Sequence, residues 1–151
     1  MSNSQATYQD ADLLLKLYDL RRESVMREAR SFFVQFMPQS AEDVLAVMQG
    51  WGSKESAYLR QVSSYWDMVA SLVKHGVLNE TLVYETCGEM YLTYAKVQPF
   101  LAKIREGMSA PDYLKNVEKV VESTADGRAR VERMQGQFKE WIKRRDQATA
   151  K

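Results

Sequence analysis

His75-Gly76-Val77-Leu78-Asn79 is the stretch whose reading decides the fold, and it lies at the middle of a longer one running from Ser53 to Ile104. Glycine has no Cβ and enters the left-handed backbone region without strain, so Gly76 marks the position just past a helix end. Val77 then falls at C″ and Leu72 at C3, the spacing of a Schellman motif. Asn79 is a favoured N-cap, its side-chain oxygen able to accept from the first free N–H groups of the next helix. Leu78 and Val83 stand where a hydrophobic staple would close that entry. A stop and a start so close together predict two antiparallel helices.

Working outward, Leu59, Val62, Trp66, Val69 and Val73 recur by three and four residues behind the cap Ser53, with Tyr58, Tyr65 and Leu72 alongside. That rhythm predicts a helix over 54–75. Val83, Cys87, Met90, Tyr94, Val97, Leu101 and Ile104 repeat it and predict one helix ending at Gly107, kinked rather than stopped at Pro99. Before the hairpin, residues 1–9 are polar and expected to fray. A helix capped by Asp10 or Asp12 should reach Phe36, with Leu14, Tyr18, Val25, Ala29, Phe32 and Phe36 on its apolar stripe. Ser40 and Asp43 open a short helix to Met48. Trp51, between Gly50 and Gly52, is either a plug at one end of the core or an exposed interface anchor.

After the hairpin, Ser109-Ala110-Pro111-Asp112 reads as a helix start. From there Tyr113, Val117, Val120, Thr124, Gly127, Val131, Met134, Phe138 and Trp141 keep helical phase. This predicts a long helix over about 112–146, or two nearly collinear ones separated at the turn-favouring Asp126-Gly127. The expected fold class is therefore all-α, an antiparallel bundle of five to six helices with a long C-terminal helix. Its expected division is a disordered N-terminus at 1–9, a bundle domain at 10–125 and a basic helical extension at 126–151.

The 151 residues fit one domain, and 45% hydrophobic with 27% charged residues is ordinary for a soluble globular chain. Cys87 is the single cysteine, which excludes an intramolecular disulfide and suits a reducing compartment. The opening Met1-Ser2-Asn3-Ser4-Gln5 has neither a basic nor an apolar region of a signal peptide, and no apolar run is long enough to span a bilayer. A cytoplasmic location with no membrane partner is the expectation. Residues 128–151 hold eight Lys or Arg against three acids, a net +5, so with +1 overall the rest sums to −4.

Tyr65-Trp66-Asp67, Leu72 through Glu80, Gly88-Glu89-Met90 and Gln98-Pro99-Phe100 resemble an uncharacterised bacterial all-helical family known only as a domain of unknown function. Members of that family often carry an N-terminal transmembrane segment; here the Asp10–Phe36 helix stands in that place, so no membrane tether is expected. The resemblance covers roughly 53–106, less clearly 10–50, and not the basic tail. It implies a helical fold and no activity.

Few residues invite chemistry. Arg21 interrupts the apolar stripe of the first helix, with Arg22 beside it and Glu28 on the same face. A buried arginine needs a partner, and Glu89 is a candidate. The pair is either structural or, with Tyr65 and Tyr94, part of a pocket for a small anion. Cys87 and His75 lie on opposite sides of a turn, which argues against a catalytic dyad. One histidine and one cysteine give no metal-ligand spacing, and no cofactor motif is present. The basic tail lacks a nucleic-acid recognition motif and reads as a solvated helix face. The expected function is a non-enzymatic interaction or scaffold protein that self-associates or binds a helical partner through Arg130, Arg133, Met134, Phe138 and Trp141. The alternative is a module that binds or senses a small anionic metabolite.

Overall fold

The computed structural model describes residues 5–150; the expected fraying of residues 1–4, and Lys151 of the tail, lie outside the described residues. Every regular element among them is helical. In chain order they are α1 (Tyr8–Arg21), α2 (Ser24–Gln35), α3 (Ala41–Met48), α4 (Lys54–Lys74), α5 (Glu80–Thr86), α6 (Gly88–Val97), a 3-10 turn at Gln98–Phe100, α7 (Leu101–Gly107), α8 (Lys115–Glu122) and α9 (Ala125–Thr149). The all-α bundle forms as the periodicity predicts.

The turn after α4 closes as a Schellman motif. Gly76 has φ 69°, Val77 N–H donates to Leu72 O at 2.9 Å, and Gly76 N–H donates to Val73 O at 2.9 Å. Asn79 accepts from Leu82 N–H at 3.0 Å, and Leu78 and Val83 are both buried. The side chain at C″ behaves differently, since Val77 is exposed. The two arms of the hairpin are also not each other's main partners. α4 buries Leu59, Val62, Trp66, Val69 and Val73 chiefly against α2 and α8, while α6 packs chiefly on α9.

Three expected runs are cut. The first helix stops at Arg21 and restarts at Ser24, because the Glu23 carboxylate accepts from Val25 N–H at 3.1 Å and Met26 N–H at 2.9 Å and caps a new helix. The phase is lost there: α2 buries Met26, Ala29 and Phe33, and the expected core positions Tyr18 and Val25 are exposed. The first helix also begins earlier than Asp10, at Tyr8, where Thr7 and Asp10 form a capping box.

The second cut falls at Cys87 (φ −109°, ψ 51°), which separates α5 from α6. The third falls at Thr124, whose hydroxyl accepts from Gly127 N–H at 3.0 Å and opens α9. A Cβ on Gly127 would lie 2.4 Å from Val121 O, so glycine lets the new helix start against the end of α8. The C-terminal run is thus two helices, broken just ahead of Asp126. Its first half starts late. The Asp67 carboxylate of α4 accepts from Asn116 N–H at 2.9 Å and Val117 N–H at 3.1 Å, so α8 is capped from a distant element rather than by Ser109. Pro99 bends the chain through the 3-10 turn and α7 runs on to Gly107, as expected.

Lys96 shows how the core holds α2. Its buried ammonium donates to Phe33 O at 2.5 Å, Val34 O at 2.9 Å and Phe36 O at 2.8 Å. Burial pulls its pKa down to about 8. The ammonium has three N–H donors and the helix end has three carbonyls to satisfy, so a charge replaces the missing helical turn.

Candidate functional site

The helix α1 has two apolar faces where a surface helix ordinarily has one. Its inner face carries Leu14, Leu17 and Arg21, spaced by three and four residues, and only Leu17 is fully buried. Its outer face carries Tyr8, Ala11, Leu15 and Tyr18, spaced by three, four and three, and all four are exposed. Tyr8 is 94% and Leu15 67% exposed, and Leu20 and Val25 extend the apolar surface nearby. The helix is held at its N-terminus by Asp10, whose carboxylate accepts from Asn79 N–H at 2.7 Å across the hairpin turn. Toward its C-terminus Tyr65 OH donates to Leu17 O at 2.5 Å.

The inner face, together with Leu15 and Tyr18 of the outer one, walls a cleft of about 310 Å³ whose other sides come from α4 (Tyr65, Trp66, Val69) and the α5–α6 break (Thr86, Cys87). The two helix breaks that the periodicity does not announce, at Arg22–Glu23 and at Cys87, therefore frame one cavity. Arg21 sits at it with its guanidinium 5.1 Å from the Tyr18 ring centroid and 5.3 Å from that of Trp66. Two aromatic rings thereby lie within cation–π range of the one guanidinium. Among the described residues the Arg21 guanidinium has no hydrogen bond and no ion pair. The Trp66 indole N–H is buried without an acceptor among the described residues, a polar cost carried in the wall of the cleft. Burial pushes the Tyr65 phenol up to about 12 and raises the Cys87 thiol above its ordinary value, so neither is ionised near neutral pH.

The expected Arg21–Glu89 pair is not formed. Glu89 is taken by Arg30, which donates from Nε to both carboxylate oxygens at 2.9 Å and from Nη2 at 2.8 Å. The break at Arg22–Glu23 rotates α2 so that Arg30, not Arg21, faces α6. Arg30 Nη1 also reaches Arg21 O at 3.4 Å, which ties the end of α1 to the same pair. The other sequence candidates scatter. Arg22 is exposed, Glu28 accepts from Tyr58 OH at 2.5 Å, and Tyr94 donates to Glu122 at 3.1 Å on the α8 side. Of the anticipated pocket residues, Arg21 and Tyr65 share the cleft.

The anticipated partner surface on α9 is largely spent within the chain. Arg130 donates to Tyr84 O at 2.5 Å, the carbonyl beside the α5–α6 break, and stacks 4.9 and 4.8 Å from the rings of Tyr84 and Tyr91. Met134 and Phe138 pack against the core. Arg133 and Trp141 remain exposed, with the Arg145 guanidinium 5.5 Å from the Trp141 ring. Trp51 is no plug: it is 68% exposed and covered on one face by Arg60 at 4.5 Å.

Arg30 was missed because no local signal joins it to a residue 59 positions away, and Lys96 because a lysine on a core face reads as an interruption. The sequence places Arg21 on a stripe with Leu14 and Tyr18, whereas the buried residue of that face is Leu17 and Tyr18 is exposed.

Residues 6–124 match the family model described as Domain of unknown function (DUF4760). The chain belongs to that family. The family match ends at Thr124, the residue that caps α9, so the cleft and both faces of α1 lie inside the DUF4760 region and α9 outside it. Comparison with curated proteins and with solved structures found no match. Among the described residues no helix is long and apolar enough to cross a membrane, and no three His, Cys, Asp or Glu side chains group as metal ligands.

Proposed function

We propose that this DUF4760 chain is a non-enzymatic helical interaction module that self-associates, with the outer face of α1 as its docking surface. The observation that carries the reading is the exposed stripe Tyr8, Ala11, Leu15 and Tyr18 on a helix whose inner face is already spoken for. Leaving such a stripe in water forfeits apolar burial, and a matching helix face recovers it. The charges flanking the stripe, Asp12, Lys16, Asp19 and Arg22, sum to zero, so a second copy meets no net repulsion. The distal part of α9, with Trp141 exposed, is a secondary contact.

Sedimentation velocity at tens of micromolar is the test. The wild type should sediment as a concentration-dependent oligomer, and Ala11→Glu with Leu15→Glu should weaken association by at least about tenfold, roughly 1.4 kcal/mol. A wild type that stays monomeric, or a double variant that associates unchanged, would sink the reading.

A further inference from the structure

The cleft behind α1 borders the outer stripe at Leu15 and Tyr18 and has a chemistry of its own. We infer that it is a binding site for a small amphipathic monocarboxylate, whose apolar body lies among Leu14, Leu17 and Val69 and whose carboxylate is gripped by Arg21.

Three observations meet there. The first is size: 310 Å³ at about 30 Å³ per water-sized atom admits a ligand of roughly ten non-hydrogen atoms. The second is the wall, which is aliphatic and aromatic apart from Arg21, a thiol and hydroxyls, so the body of the ligand is apolar. The third is the state of Arg21. The guanidinium lies within cation–π range of Tyr18 and Trp66, and among the described residues none of its five N–H donors has a protein acceptor. An ion pair would ordinarily occupy such donors. The neighbouring carboxylate, Glu89, is held by both nitrogens of the Arg30 fork and does not serve Arg21. A guanidinium pre-oriented by two rings and lacking an anion fits a planar carboxylate through two parallel hydrogen bonds, a geometry a lysine cannot reproduce.

The cleft also brings its own reporter. Trp66 is buried in its wall, whereas Trp51 and Trp141 are exposed, so Trp51→Phe with Trp141→Phe leaves a single tryptophan at the site. In that background, octanoate should shift Trp66 emission saturably and raise the unfolding midpoint. Octanol, with the same body and no charge, and acetate, with the charge and no body, should do so at least about tenfold more weakly. Arg21→Met should reduce octanoate affinity at least about tenfold and Arg21→Lys by a lesser factor, while Arg22→Met, an exposed charge one residue on, should leave it unchanged. Equal response to octanol and octanoate, or affinity retained in Arg21→Met, would overturn the assignment. So would no saturable Trp66 response at all. Leu15 and Tyr18 belong to both the cleft and the docking stripe, so octanoate binding is measured at a protein concentration at which sedimentation shows monomer, and failure of either reading then shows separately.

Discussion

Arg21 and Arg30 carry the same charge nine residues apart, and the structure gives them opposite jobs. Arg30 holds Glu89 bidentately with side chains 31% and 12% exposed, so deleting the guanidinium strands a nearly buried carboxylate. Arg30→Met is expected to cost about 2–3 kcal/mol, somewhat below a fully buried pair because solvent reaches part of it. Arg21→Met breaks no ion pair and should change stability by less than about 1 kcal/mol, the scale of a single cation–π contact. Urea denaturation of the two variants checks both, and a larger loss in Arg21→Met would mean that the stacking carries the junction. At this scale the sequence could say that an arginine on an apolar stripe needs an explanation. It could not say which arginine met Glu89, because that depends on a phase shift of the backbone at Glu23.

The elements show where such shifts come from. Gly76, Asn79 and Ser53 act on their own neighbours, and each is legible. Asp67 capping α8 acts across 49 residues, and Glu23 is an uncommon cap, so both boundaries escape a local reading. Gly127 is the instructive case, for it reads as a helix breaker and is in fact an early residue of α9. By propensity alone Gly127→Ala should stabilise by about 1 kcal/mol. A methyl 2.4 Å from Val121 O and 2.9 Å from Thr124 Oγ1 should reverse the sign and lower stability by about 1–3 kcal/mol, as overpacking does. A thermal midpoint at or above wild type would remove the steric account.

The tether of α1 gives a pH dependence. Asp10 is held below the ordinary carboxylate range first by hydrogen bonds from the Thr7 hydroxyl and backbone N–H, with burial opposing and the Asn79 N–H adding least. Its native pKa is the lower one, so the unfolded chain binds the proton more readily. The contribution of the Asp10 carboxylate, chiefly through the Thr7 capping box and in lesser part through the tether to Asn79, is complete above about pH 4 and is lost as pH falls through the depressed native value. The gap in unfolding midpoint between wild type and Asp10→Ala should therefore be constant from neutral to mildly acidic pH and close below it. A gap independent of pH would show that the carboxylate charge is not what holds α1 down.

For the whole molecule, the sequence separates a bundle from a basic extension near residue 126, and the family match stops at almost the same place. The packing does not respect that division. Val131 of α9 is buried, Met134 and Phe138 lie against the core, Arg130 fills the gap beside Gly88, and Gln135 donates to Ala95 O at 3.2 Å. From Lys139 onward nearly every side chain is exposed. Ending the chain after Thr124 would uncover the α6 face and forfeit burial of several large side chains, on the order of 5 kcal/mol, which is comparable with the whole stability of a domain this size. Ending it after Glu140 removes surface helix alone. Circular dichroism melts should show the chain ending at Glu140 within a few degrees of the full chain and the chain ending at Thr124 unfolded or molten. Should the shorter form melt cooperatively near the wild-type midpoint, α9 would be an appendage, as the charge pattern implies. The packing of Val131 and Phe138 says that its first half is a structural wall of the bundle and that only its second half is free for a partner.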